Sequence, residues 1–244
     1  MNTKIFAHRG ASKYAPENTM PAFKLACNMN ADGIETDVQL TKDNIPVLFH
    51  DEQLKRTTGT VGYVKDFTYE QLKQLDAGRW YSNEFEHITI PSLDDFLNWI
   101  KAKPLYLNIE LKNYKIDYKH IESIVYDAIA YHQLLNRTTI STFNPNSIRR
   151  LRNKKDTIGV AFLTSKKYKR LVSFAEEMGA NAIHIKYRLL NKRLVEESHR
   201  RNMKLRVYTV NKPARIIRSL ETSVNGIITD VPDQAIHCKK IIKE

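Results

Sequence analysis

Acidic side chains recur in this 244-residue chain at positions where they could bind a metal ion. Glu35 and Asp37 stand two residues apart in the strand candidate Gly33–Leu40, so both carboxylates would face the same side of a β-strand. Like charges this close raise each other's pKa, and a divalent cation bound to both would relieve the repulsion. The pair therefore indicates a metal site, although an isolated Glu-x-Asp pair is also common on protein surfaces.

Glu110 is predicted to be a third acidic ligand. It is the one carboxylate in the apolar run Leu105–Leu111, and a charge inside a buried strand is unfavourable unless it is paired or bound to a metal. An ion pair with Lys112 or Arg9 is the alternative. Three carboxylates without a thiolate favour a hard cation such as Mg or Ca, and His50 nearby leaves Mn and Zn open. We therefore expect one divalent cation.

His50 is predicted to face the same side as the acidic pair. Only residues 41–44 separate the acidic strand from the next apolar run, Ile45–Phe49, which is too few for a parallel crossover. The two runs must then form an antiparallel hairpin. With its turn at 42–43 or 43–44, His50 would pair opposite one of the two carboxylates.

Strand and helix signals alternate along the whole chain and must position these groups. The strand candidates are Lys4–Ala7, Gly33–Leu40, Ile45–Phe49, Leu105–Leu111, Thr138–Thr142, Ile158–Leu163, Ala182–Ile185, Lys204–Val210 and Gly226–Thr229. The two strands of the hairpin count as one unit, so the nine strand candidates give eight β/α units. This predicts a single (β/α)8 TIM-type barrel over residues 1–244. Reactive groups of such barrels lie where strands end, and here those positions hold His8, Arg9, His50, Asp51, Lys112 and Asp230.

The segment 52–92 follows the hairpin and carries many aromatic residues but no clear strand. A helical turn is expected around Thr68–Leu75. Because its aromatic side chains need burial, we expect a small inserted cap subdomain over the active-site face rather than an open loop.

The formal net charge is +12, from 39 Lys and Arg against 27 Asp and Glu. Such a surface can attract anionic substrates, membranes or nucleic acid, or can be an ordinary solvated surface. Dense basic runs such as Lys166–Arg170 lack the aromatic residues used for base stacking, so no nucleic-acid partner is expected. Cys27 and Cys238 lack metal-ligand spacing and predict reduced thiols. With no signal-peptide core and no 18-residue apolar run, we expect a cytoplasmic protein, either monomer or homo-oligomer.

The ordered set of motifs resembles that of the glycerophosphodiester phosphodiesterase family along nearly the whole chain. The matching stretches are His8-Arg9-Gly10, Pro16-Glu17-Asn18-Thr19, Glu35-Thr36-Asp37, His50-Asp51, Ile109-Glu110-Leu111-Lys112, Ser141-Thr142-Phe143, Val207-Tyr208-Thr209-Val210-Asn211 and Ile228-Thr229-Asp230-Val231-Pro232.

This resemblance implies a role for each residue. The implied metal ligands are Glu35, Asp37 and Glu110, and the implied acid–base pair is His8 and His50. The implied phosphate and substrate contacts are Arg9, Lys112 and Tyr208, where Tyr208 replaces a Trp that commonly lines the family's substrate pocket. The groups expected to support them are Glu17, Asn18, Asp51 and Asp230.

The implied activity is metal-dependent hydrolysis of small glycerophosphodiesters to glycerol 3-phosphate and an alcohol. The sequence leaves open which histidine is the base, and whether water or the substrate's own hydroxyl attacks. A related phosphodiesterase acting on lysophospholipids is the alternative. A non-catalytic barrel that binds phosphorylated ligands is less expected, because all five metal and acid–base residues are present.

Overall fold

A computed structural model describes residues 3–154 and 157–242. Its strands are β1 (Lys4–His8), β2 (Gly33–Leu40), β3 (Pro46–Leu48), β4 (Tyr106–Leu111), β5 (Thr138–Thr142), β6 (Gly159–Thr164), β7 (Ala182–Lys186), β8 (Lys204–Tyr208) and β9 (Gly226–Thr229). Its α-helices are α1 (Met20–Asn28), α2 (Lys55–Thr58), α3 (Tyr69–Leu72), α4 (Leu93–Ile100), α5 (Ile121–Tyr131), α6 (Pro145–Leu151), α7 (Leu171–Met178), α8 (Lys192–Arg200), α9 (Pro213–Glu221) and α10 (Pro232–Ile241).

Eight strands close into a parallel barrel. Neighbouring strands follow the order β1, β9, β8, β7, β6, β5, β4 and β2, and β1 pairs with β2 to complete the ring. Helices lie between successive barrel strands, so the predicted (β/α)8 fold is confirmed. No helix within the described ranges is long and apolar enough to span a bilayer.

The hairpin of β2 and β3 is antiparallel as predicted, but its register was predicted wrongly. Val38 pairs with Leu48, so the same ladder carried onward would place His50 opposite Thr36 and not opposite a carboxylate.

The turn of this hairpin explains the difference. The backbone N–H of Asn44 donates to the carbonyl of Thr41 at 3.0 Å, which closes the turn over residues 42–43. Asn44 then adopts a φ of 60° and adds one residue to the returning strand. A bulge of one residue reverses which side chains share a face.

The interior of the barrel holds a buried cation, Arg206, which the sequence analysis did not single out. Its guanidinium donates to Asn108 Oδ1 at 3.0 Å and to Thr139 Oγ1 at 3.1 Å, and lies 4.1 Å from the centre of the Phe6 ring. Burial lowers the pKa of Arg206 to about 9. Neutral oxygens and a ring face therefore stabilise this charge, with no carboxylate partner in the described part of the chain.

His184 is buried next to it and should make the fold sensitive to acid. Neither ring nitrogen has a hydrogen-bond partner among the described residues, and burial together with Arg206 holds the pKa of His184 well below its usual value. Below about pH 6.5, His184 binds a proton in the unfolded chain but not in the folded chain. The free energy of unfolding therefore falls as pH falls through that value.

We expect wild type to lose about 1 kcal/mol more unfolding free energy than His184→Leu between pH 7.5 and 5.5. Urea titrations at the two pH values measure this difference. His199→Leu, a change at an exposed histidine, should keep the wild-type pH dependence. Equal pH dependence of wild type and His184→Leu would contradict the assignment.

The segment 52–92 packs, together with residues of and just after β3, around a second apolar cluster. The cluster is separate from the main core and contains Val47, Phe49, Leu54, Val64, Leu72, Ala77 and Ile90. The predicted helical turn is shorter than expected, spanning Tyr69–Leu72, and begins with a capping box between Thr68 and Gln71. The separate cluster supports our proposal that this segment is a distinct inserted subdomain.

Candidate active site

Three carboxylates meet at the carboxyl end of the barrel. Asp37 on β2 lies directly across from Glu110 on β4, and Glu35 lies two residues earlier on the same face as Asp37. Oxygens of the three side chains all lie within 4.8 Å of one another, and all three residues are almost completely buried. A compact set of hard oxygen ligands fits Mg²⁺ or Ca²⁺.

The surroundings of Glu35 and Asp37 shift the pKa values of these two side chains in opposite directions. Burial and the charges of Asp37 and Glu110 raise the pKa of Glu35 well above its usual value. Burial also disfavours ionised Asp37, but Arg9 and Lys112 outweigh it and hold the pKa of Asp37 far below its usual value. A cation binds the ionised carboxylates, and the raised pKa of Glu35 opposes that ionised form, so metal affinity should weaken as pH falls.

Arg9 and Lys112 lie against the same carboxylates. Arg9 Nε is 3.1 Å from Asp37 Oδ2, and Lys112 Nζ is 2.8 Å from Glu110 Oε1 and 3.6 Å from Asp37 Oδ1. Burial opposes the charge of Lys112, but Glu110 and Asp37 outweigh it and raise its pKa. Both side chains thus stay charged beside the cluster, where they could also reach a bound phosphate.

The turn after β1 requires glycine to place Arg9. Arg9 and Gly10 have φ values of 56° and 82°, and a Cβ on Gly10 would lie 2.6 Å from the backbone of Ala22 in α1. This conformation directs the backbone N–H of Arg9 to Glu35 Oε2 at 3.1 Å. One tight turn therefore places both a backbone donor and a guanidinium at the carboxylates.

His8 is held by Asp230. Its Nδ1 is 2.6 Å from Asp230 Oδ1, and the same carboxylate accepts from Ser12 Oγ at 3.1 Å and from Asn211 Nδ2. Asp230 makes no capping bond to α10, whose N-cap residue is Val231. The carboxylate favours a proton on Nδ1, which leaves Nε2 to exchange protons with a ligand.

His50 has a matching arrangement despite the unexpected register. Its Nδ1 is 2.6 Å from Asp51 Oδ1. The side-chain amide of Gln39 donates to the carbonyls of Phe49 and Asp51 at 2.9 and 2.6 Å and anchors the segment beyond β3. His50 and Glu110 line one cavity of about 320 Å³. The histidine therefore reaches the site because the chain leaves the strand, rather than by strand pairing.

Arg56 connects two of the predicted supporting residues and was missed by the sequence analysis. It donates to Glu17 at 2.7 and 2.9 Å and to Asp51 at 2.6 and 3.1 Å, while Glu17 also accepts from Arg9 at 2.9 Å. Burial opposes ionised Asp51, but its bonds to Arg56 and His50 lower its pKa to about 2. The only available signal was an arginine shortly after the His-Asp motif, on the inserted segment.

Replacing Arg56 by Gln should lower kcat about tenfold, because the carboxylate that orients His50 loses its charged partner. Loss of Arg56 should also raise the pKa of Asp51 above its value of about 2, because the carboxylate loses its charged partner, and an NMR titration of the Asp51 carboxylate measures this shift. Arg79→Gln is a matched control, since Arg79 lies on the same segment but pairs only with Glu86 in the described residues. An unchanged kcat together with an unchanged pKa of Asp51 in Arg56→Gln would count against this role.

Asn18 and Tyr208 complete the predicted set. Asn18 donates from Nδ2 to Asp37 Oδ2 at 2.9 Å and accepts from the Thr36 hydroxyl at 2.8 Å, which fixes the carboxylate. Tyr208 lies edge-on to Phe143, with ring centres 6.3 Å apart, and its buried hydroxyl has no hydrogen-bond partner in the part of the chain that the structure describes. Burial and Glu110 raise the pKa of Tyr208, so this hydroxyl stays protonated and can donate to a ligand.

Comparisons with known proteins identify relatives of this chain in both sequence and fold. Residues 8–234 match the glycerophosphoryl diester phosphodiesterase family. The chain is 38% identical to a glycerophosphodiester phosphodiesterase of Bacillus altitudinis, covering 99% of this chain and 100% of that one. It is also 38% identical to one of Caldanaerobacter subterraneus, covering 97% and 98%.

A solved structure shares both the fold and part of the sequence. It is an Oleispira antarctica phosphodiesterase in complex with the product sn-glycerol-3-phosphate, with a TM-score of 0.90 and 26% identity, covering 97% of this chain and 96% of that one. With a family match that spans nearly the whole barrel and relatives of equal length, this chain belongs to the glycerophosphoryl diester phosphodiesterase family.

Proposed function

We propose that this chain hydrolyses glycerophosphodiesters to glycerol 3-phosphate and an alcohol, and that it needs one divalent cation to do so. The observation that carries the proposal is the cluster of Glu35, Asp37 and Glu110 flanked by His8 and His50. Membership of the family supports the reaction class. The product bound to the Oleispira relative supports glycerol 3-phosphate as the phosphate-bearing product.

The substrate phosphate is anionic, so the site must neutralise charge before chemistry can occur. The cluster of Glu35, Asp37 and Glu110 would hold the cation, with Mg²⁺ or Ca²⁺ preferred, which when bound supplies electrostatic stabilisation of the phosphate oxygens. Arg9 and Lys112 would donate to non-bridging oxygens of the same group and hold it in place.

The two histidines would manage the protons. One imidazole takes the proton from the attacking hydroxyl and the other gives a proton to the leaving alkoxide. Asp230 and Asp51 stabilise whichever imidazole becomes positively charged, because each carboxylate lies on Nδ1. The two imidazoles are alike in this respect.

Release of glycerol 3-phosphate from glycerophosphocholine tests the proposal directly. We expect turnover with Mg²⁺ or Ca²⁺ that stops with a chelator and returns when the metal is restored. Activity that persists after exhaustive chelation would refute the metal requirement. Tight binding of the substrate without turnover would favour a non-catalytic binding barrel instead.

A further inference from the structure

A groove rich in positive charge lies on the same face of the barrel as the candidate active site. It is formed by the segments that follow β6 and β7, which are neighbours in the barrel, and encloses about 400 Å³. We call it the basic groove, and its cationic residues are Lys166, Lys167, Lys169, Arg188 and Arg193. Of the residues that the structure describes, Glu197 is the one carboxylate that lines it.

The charges of the basic groove are not neutralised as those of the active site are. Arg9, Arg56 and Lys112 each have carboxylate partners within 3.1 Å. Across residues 3–154 and 157–242, none of the five groove cations has a carboxylate within 4.0 Å. Five positive charges with one nearby acid create a local field that would attract an anion.

Arg188 connects the groove to the active-site cavity. Its guanidinium donates to the carbonyl of Ser165 at 2.6 Å, and Ser165 lines the cavity that also contains Glu110 and Phe143. Tyr208 lies edge-on to Phe143, with ring centres 6.3 Å apart. A substrate whose phosphate lies at the carboxylate cluster could therefore extend past Phe143 into the basic groove.

We propose that the basic groove binds an anionic group on the leaving alcohol, so that this chain prefers glycerophosphodiesters whose leaving group carries a further phosphate. The inference rests on the proposed function and specifies its substrate class. A phosphate is the fitting anion because several lysine and arginine side chains can share its oxygens. The concave shape of the groove suits one charged group together with a short polyol.

The same residues fit a membrane or a nucleic acid less well. Insertion into a bilayer needs exposed apolar side chains, but the leucines that line the groove are buried (Leu171, Leu189 and Leu190) or half-buried (Leu194). Stacking on bases needs a free aromatic face, but the ring of Tyr168 is stacked on Phe174 with centres 5.0 Å apart. The charge is therefore available mainly to a small polyanion.

Two substrates with the same reacting end test this inference. Hydrolysis of glycerophosphoglycerol releases an uncharged alcohol. Hydrolysis of bis(glycerophospho)glycerol releases an alcohol that still carries a phosphodiester. We expect initial-rate measurements to give a kcat/KM about tenfold higher for the second substrate, well above the factor of two from its two equivalent ends. The preference should vanish in about 0.5 M KCl, because salt screens exposed charges.

The triple variant Lys166→Ala, Lys167→Ala and Arg193→Ala should lose this preference because its KM for bis(glycerophospho)glycerol rises. Its kcat/KM on glycerophosphocholine should stay at the wild-type value. A charge-matched control carries Lys24→Ala, Arg218→Ala and Lys240→Ala, exposed positions on α1, α9 and α10. The control should keep the preference, which separates the groove from the effect of net charge.

The outcomes separate this inference from the proposed function. If wild type does not hydrolyse glycerophosphocholine, the proposed function fails. If it does but treats the two test substrates alike, or if both triple variants lose the preference equally, the groove does not recognise the leaving group. Loss of sedimentation with phosphatidylglycerol vesicles in the groove variant alone, with no substrate preference in wild type, would assign the groove to a membrane surface and overturn the inference.

Discussion

Replacing His50 by Ala should lower kcat on glycerophosphocholine about 10²–10⁴-fold with a much smaller change in KM. The imidazole transfers a proton in the transition state and contributes little to binding of the ground state, so the loss should fall on kcat. His8→Ala should have an effect of the same size, because both rings are held by a carboxylate at 2.6 Å. Steady-state kinetics with metal present measure both effects.

A matched control and a second substrate make this prediction specific. His199→Ala removes an exposed histidine from α8 and should leave kcat unchanged. A glycerophosphodiester with a nitrophenol leaving group needs little protonation of the leaving oxygen. The variant that lacks the acid should recover most of its rate on that substrate, whereas the variant that lacks the base should not. Near-wild-type kcat in either histidine variant would refute the acid–base roles.

The sequence predicted the barrel and the acidic cluster because both depend on the alternation of side chains along a strand, which does not change when strand bounds or pairing registers are slightly wrong. Glu35 and Asp37 share a face of β2 whatever the register of its neighbours, and Glu110 falls opposite Asp37 because adjacent strands of a barrel end at the same rim. His50 depended on a hairpin register that a single bulged residue at Asn44 changes. The predicted pairing was therefore wrong although the side chain still reaches the site.

Contacts between distant segments were beyond what spacing could predict. Arg56 is an ordinary exposed arginine by sequence, and only folding of the inserted segment brings it to Glu17. Arg206 and His184 each lie between buried apolar residues of β8 and β7, respectively. Sequence patterns mark such positions as buried but do not show how a buried charge is satisfied.

Replacing Glu35 by Gln should abolish binding of the cation while leaving the metal-free fold intact. In wild type, saturating Mg²⁺ or Ca²⁺ at about 100 times its dissociation constant should raise the unfolding free energy by about 2.7 kcal/mol. Glu35→Gln should show almost none of this gain, and its activity should fall about 10³-fold, because the charge that neutralises the phosphate is lost. Thermal unfolding with metal and with chelator measures the first effect, and glycerol 3-phosphate release measures the second.

The metal-free comparison distinguishes a ligand from a structural residue. Burial and the charges of Asp37 and Glu110 disfavour the ionised form of Glu35, so a neutral amide is tolerated in the metal-free cluster, and its carbonyl can still accept from the backbone N–H of Arg9. In chelator, Glu35→Gln should therefore unfold at the same temperature as wild type or a higher one. Asp127→Asn, an exposed carboxylate on α5, should keep both metal stabilisation and activity. A Glu35→Gln variant that is less stable than wild type without metal would show that this carboxylate holds the barrel together, and the metal site would then have to be sought elsewhere.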